Sequence, residues 1–161
     1  MDKDLIDGSI LGNIQLVRRA LTGKNTNINV KNKDGYTVLY LACRSKKEDI
    51  VKLLIESNAD VNICHEIDGD TPLMIACSEG YIKIVEYLLE SSKVIINDFN
   101  KNGWNPLIYA SYYGHTQVVK LLIEHHVDVN ARGHFGFTAL YRGCSTGRYE
   151  VIELLLRAGI I

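Results

Sequence analysis

One block of residues returns along the chain at a nearly constant distance, and this period limits the possible folds more than any other feature. Gly35-Tyr36-Thr37-Val38-Leu39-Tyr40-Leu41-Ala42-Cys43 is matched by Gly69-Asp70-Thr71-Pro72-Leu73-Met74-Ile75-Ala76-Cys77. The pattern returns in Gly103-Trp104-Asn105-Pro106-Leu107-Ile108-Tyr109-Ala110-Ser111 and in Gly136-Phe137-Thr138-Ala139-Leu140-Tyr141-Arg142-Gly143-Cys144. The leading glycines are 34, 34 and 33 residues apart. A second apolar run follows each block, at 50–55, 84–89, 118–123 and 151–156. A unit this short cannot bury its apolar face alone, so neighbouring copies must stack.

Each position in the unit has a physical role. The leading glycines belong to a turn and are expected at positive φ. Thr37, Thr71, Asn105 and Thr138 are suited to cap the first helix. Pro72 and Pro106, the two prolines of the chain, follow at the first helical position. Ala42, Ala76, Ala110 and Gly143 are small, as close helix packing requires. Gly80, Gly114 and Gly147 are expected to close the first helix in a left-handed cap. Lys46 stands in that place in one unit, where a side chain costs about 1 kcal/mol. The second run is apolar at helical spacing. A tail such as Asn58-Ala59-Asp60-Val61-Asn62 or Val127-Asp128-Val129-Asn130 leads on to the next turn.

A turn and two helices at this period resemble the ankyrin repeat. The Thr71-Pro72-Leu73 block with Ala76, the pair Gly114-His115 and the tail Ala59-Asp60-Val61-Asn62 carry the resemblance, which covers essentially the whole chain. It implies an all-α solenoid of helix-turn-helix units joined by short hairpin-like loops. One domain over 1–161 is expected, with units at about 1–31, 32–64, 65–98, 99–131 and 132–161. The first unit lacks the turn and the Thr-Pro-Leu block, while Leu5, Gly8, Gly12, Val17 and Leu21 keep the phase. Arg19 replaces the apolar Leu53, Tyr87, Leu121 and Leu154 of later units, as a capping repeat facing water would. The last unit keeps its apolar second helix up to Arg157-Ala158-Gly159-Ile160-Ile161. Either Arg142 and Gly143 form a makeshift cap, or the sequence was cut from a longer protein. The family often places His where this chain has Tyr40, Met74, Ile108 and Tyr141. Stacking is therefore expected to replace the polar link between turns. The resemblance also makes Asn62, Asn97 and Asn130 compatible with asparaginyl hydroxylation.

Composition closes off other function classes. Lys plus Arg number 18 against 19 Asp plus Glu, a net charge of -1, so no basic face for nucleic acid is expected. No apolar run is long enough to cross a membrane as a helix. Met1-Asp2-Lys3-Asp4 lacks the features of a signal peptide, so a cytoplasmic or nuclear location is expected. Cys43, Cys77 and Cys144 share one slot with Ser111, read as a small buried helix position. Cys64 beside His65 has no partner pair at zinc spacing. His115 is expected in a cap, and His125 and His126 at a helix C-terminus. Asp68 and Asp70 are expected to be solvated on a turn. No nucleophile stands near a base and no phosphate or dinucleotide motif occurs, so neither catalysis, a metal nor a cofactor is expected.

What the resemblance implies is a concave binding surface of turn tips and first-helix ends. Carried onto this chain, it names Tyr36, Arg44, Asp68, Asp70, Glu79, Trp104, Tyr112, Tyr113, Phe135 and Phe137. Binding energy concentrates in Trp, Tyr and Arg. The expected function is that of a protein interaction module or adaptor, acting as a monomer on another protein. The alternative is a targeting domain of a larger enzyme, channel or effector.

Overall fold

Four helix starts follow one local rule. The side-chain oxygens of Thr37, Thr71, Asn105 and Thr138 accept from the amides of Tyr40, Met74, Ile108 and Tyr141 at 3.2, 3.2, 2.8 and 3.1 Å. Each cap residue is extended, so the chain enters its helix directly from a turn. The computed structural model describes residues 2–159 and is all-helical among them. Met1, Ile160 and Ile161, at the ends of the expected domain, lie outside the described residues. The helices pair as α1 (Asp2–Leu11) with α2 (Ile14–Leu21), α3 (Val38–Arg44) with α4 (Glu48–Glu56), and α5 (Pro72–Glu79) with α6 (Ile82–Leu89). The last pairs are α7 (Pro106–Tyr113) with α8 (Thr116–Glu124), and α9 (Ala139–Ser145) with α10 (Tyr149–Arg157).

The pairs stack in sequence order. The first helices form one row, α1 to α3 to α5 to α7 to α9, and the second helices form another behind it. One core runs the length of the stack. Leu39, Leu73 and Leu107 of the first row meet Val51, Leu54, Val85, Leu88, Val119 and Leu122 of the second, all nearly or fully buried. Arg19 is exposed on α2.

First helices end as expected at Gly80 and Gly114, which are left-handed at φ 72° and 80°. Lys46 is forced into the same region at φ 54°. This costs about 1 kcal/mol, and its Nζ recovers part by lying 5.2 Å from the Tyr81 ring centroid. Lys46→Gly is therefore expected to raise the melting temperature by up to about 3 °C. An unchanged or lower value in calorimetry would show that the backbone there carries no strain. His126, read from sequence only as a cation near a helix end, is itself left-handed at φ 61° and closes α8.

The shared cysteine slot needs a correction. Cys43 and Cys77 are fully buried and so is Ser111, whose hydroxyl has no hydrogen-bond partner. Cys144 is exposed, because no helix pair covers the far side of α9 among the described residues. The tails are tied across neighbours by their asparagines. Asn29 accepts from the Asp60 amide, Asn62 from Ile95 and Asn97 from Asp128, each at 2.9 Å.

Candidate functional site

The turns before α3, α5, α7 and α9 lie side by side, and asparagine shapes two of them. Asn32 Oδ1 accepts from the amides of Asp34 and Tyr36 at 3.1 and 3.0 Å. Asn100 Oδ1 does the same for Asn102 and Trp104 at 3.0 and 2.8 Å. The turn between them is one residue longer, since His65 precedes Gly69 by four positions where Asn32 and Asn100 precede their glycines by three. There His65 takes the asparagine's place.

His65 supplies a polar link between turns that the sequence expectation had replaced with stacking. Its Nε2 donates to the Asp34 carbonyl of the preceding turn at 3.0 Å, and its Nδ1 lies 2.9 Å from Asp68 Oδ1. The ring is buried and stacks on Tyr36 at 3.9 Å between centroids. Tyr36 in turn stacks on Tyr40 at 4.8 Å, and the Arg44 guanidinium sits 5.5 Å from the Tyr36 ring centre. Polar linkage and stacking therefore coexist here.

Asp68 and Asp70 are half-buried and hydrogen-bonded, where free solvation on a turn was expected. Asp68 Oδ1 also accepts from the Asp70 amide at 2.9 Å. Asp70 Oδ1 accepts from Asn100 Nδ2 at 2.7 Å, and both its oxygens lie 3.1 Å from the Tyr109 hydroxyl. Burial pushes the Asp70 carboxyl above the ordinary range, and the Asn100 and Tyr109 donors pull it part of the way back. Burial and then Asp70 push the Tyr109 hydroxyl up.

The fourth and fifth units bring most of the predicted aromatics together. Trp104 lies 4.9 Å from Tyr109 and 5.1 Å from Tyr112, and Tyr112 meets Tyr113 edge-on at 5.1 Å. Phe137 stacks on Tyr141 at 4.6 Å and meets Phe135 at 6.2 Å. Arg142 joins the two groups, its guanidinium 4.7 Å from the Trp104 ring centre and 4.5 Å from that of Phe137. Trp104, Tyr112 and Phe137 are half-buried by these contacts, not free at the tips, whereas Tyr113 and Phe135 are exposed. Tyr36 and Arg44 form a separate cluster around His65. Glu79 is exposed at the end of α5, beside Tyr81 and apart from both clusters.

Sequence reasoning passed over His65, Asn100, Tyr109 and Arg142 as site residues. Arg142 was legible in principle. It shares a slot with Leu41, Ile75 and Tyr109, flanked by the aromatic slots of Trp104 and Phe137, and stacking makes equivalent slots neighbours. His115, expected in a cap, stands at two helix ends. Its backbone begins α8 with no side-chain bond, while its Nε2 donates to Ser78 O of α5 at 2.8 Å.

Among the described residues no cluster of His, Cys, Asp and Glu could hold a metal ion, and no helix is long and apolar enough to cross a membrane. The chain is similar to an ankyrin repeat protein of Acanthamoeba polyphaga mimivirus, 39% identical over 49 residues. That stretch is 30% of this chain and 5% of the relative's length. The family described as ankyrin repeats (3 copies) matches residues 5–98 and 92–160. With nearly every residue inside that match, and with helix pairs stacked at the sequence period, the chain belongs to the ankyrin repeat family.

Proposed function

We propose that the protein holds another protein against its row of turn tips and first-helix ends, with Trp104 and Tyr112 as the main contacts. Ankyrin repeats are generally interaction modules, which gives the class of function. The choice of face rests on one observation: two aromatic groups joined by Arg142, from Tyr109 to Phe137, span two adjacent units and leave Tyr113 46% and Phe135 93% exposed. Apolar surface gathered in this way marks contact sites on proteins. The binder works without catalysis or a cofactor, as a monomer, in the cytoplasm. A second reading places the same face in the recognition domain of a longer protein. It is favoured by the mimivirus relative, whose matching stretch is a small part of its length.

Once a partner is isolated, Trp104→Ala and Tyr112→Ala are each expected to weaken its binding by more than about 1 kcal/mol in titration calorimetry. Smaller losses in both variants, with the fold intact by circular dichroism, would remove these residues from the interface.

A further inference from the structure

A cation sits inside the aromatic group without a counter-charge. Arg142 is half-buried between Trp104 and Phe137, which come from different units. Among the described residues its guanidinium makes no ion pair, and its Nε is buried without a hydrogen-bond partner. The ring faces recover part of the desolvation cost, but they offer nothing to the in-plane N–H donors. No acid of these two units can serve. Glu124, Asp128, Glu150 and Glu153 all lie on second helices or in loops outside the turn tips, as does Asp98 just before them, and no acid occurs in α7, α9 or their turns. Asp70, the next carboxylate along the row, is taken up by Asn100 and Tyr109. Lys101 and His134 at the tips add only positive or neutral groups.

A second observation falls at the same place. Phe135 is held in the left-handed region at φ 59°, and the residue is 93% exposed. That conformation costs a non-glycine residue about 1–2 kcal/mol. The neighbouring Phe137 ring meets it at 6.2 Å and leaves it uncovered. Strain of this kind concentrates where a surface meets a ligand.

We propose that this face captures a partner segment carrying a carboxylate next to a large apolar side chain. With Nε buried, the carboxylate pairs with the Nη end of the Arg142 guanidinium, and the apolar side chain lies on Phe135, Phe137 and Tyr141. The Trp104 and Phe137 ring centres lie 4.7 and 4.5 Å from the guanidinium carbon and leave its Nη donors to a planar carboxylate. A basic or purely polar segment leaves Arg142 unpaired and is rejected. The inference rests on the proposed function and adds the chemistry of the partner.

The test pans a displayed library of random 12-residue peptides against the full chain. Selected peptides are expected to place Asp or Glu within two positions of Leu, Ile, Phe or Trp, several-fold above library frequency. Synthetic versions, titrated against the emission of Trp104, the single tryptophan, are expected to bind Arg142→Gln about tenfold more weakly than wild type. Changing the peptide's acid to its amide is expected to cost as much on wild type and almost nothing on Arg142→Gln, as a coupled pair requires. If Arg142→Gln does not fold, the acid-to-amide change measured on wild type decides. Peptides that lack acids, or that bind both proteins equally, overturn the inference. If calorimetry shows those same peptides losing affinity on Trp104→Ala and Tyr112→Ala, the proposed function still stands. Peptides indifferent to all three variants, or no selected peptide at all, bring down both.

Discussion

Asn100→Ala is expected to destabilise the protein by about 3 kcal/mol, lowering its melting temperature by roughly 6–12 °C. Asn100 is only 4% exposed and bonds in two directions. Its Oδ1 accepts the amides of Asn102 and Trp104, and its Nδ2 donates to Asp70 and to the Tyr109 hydroxyl at 3.1 Å. Water can reach the exposed Asn102, but the half-buried Trp104 amide is left without an acceptor, at about 1–2 kcal/mol. The lost bond to a charged carboxylate adds about as much again. This second part depends on pH. Burial already holds the Asp70 carboxyl above its ordinary range, so its folded form binds a proton before the unfolded chain does. Asp70 therefore favours folding most at low pH, and this contribution is lost as pH rises through its folded value. Asn100 is a donor that lowers that value. Its removal must raise it further, so the deficit should be largest at neutral pH and shrink towards about pH 4. Melting curves of both proteins across that range provide the check. A deficit below about 1 kcal/mol, or one constant with pH, would show that Asn100 does not sustain the Asp70 charge.

The fold was legible because its signals are local and repeated. Thr37, Thr71, Asn105 and Thr138 announce helix starts, and Gly80 and Gly114 announce their ends, whatever the rest of the chain does. Where side chains sit within the stack was less legible, because it depends on what the neighbouring unit places opposite. Trp104 occupies a tip slot in sequence, yet Arg142 from the next unit and Tyr109 beside it cover half of it. Cys144 shares the slot of Cys77 and differs in exposure only because no unit lies beyond it among the described residues. His65 was hidden by a one-residue insertion. Counted from the glycine it falls out of register, and only the backbone bond from its amide to Asp70 O shows that it fills the place of Asn32 and Asn100.

Gly133→Ala is expected to cost about 3 kcal/mol, the upper end for added bulk in a packed site, although nothing in its own backbone forbids alanine. Its φ is -78°, which any residue adopts. The obstacle is the next turn. A Cβ at Gly133 would lie 1.9 Å from Gly103 O, so the two backbones would have to part by about 1 Å. The stack tightens towards this point. A Cβ at Gly35 would meet its neighbour turn at 3.7 Å, at Gly69 at 3.1 Å, and at Gly103 at 2.3 Å from the His134 amide nitrogen. The equivalent slots hold Asn32, His65 and Asn100, whose side chains shape the turn. Gly133 gives up that role and lets the last turn close on the one before. The same closeness lets Arg142 reach across to Trp104. Opening the contact should therefore loosen the last unit specifically, since each unit in a stack is held mainly by its neighbours. Melting should begin earlier, amide exchange should quicken in α9 and α10 before α5 and α6, and Trp104 emission should shift to the red as its cover lifts. A variant that melts like wild type with unchanged Trp104 emission would mean that the turns part at no cost, and that the tight approach is not what holds Arg142 against Trp104.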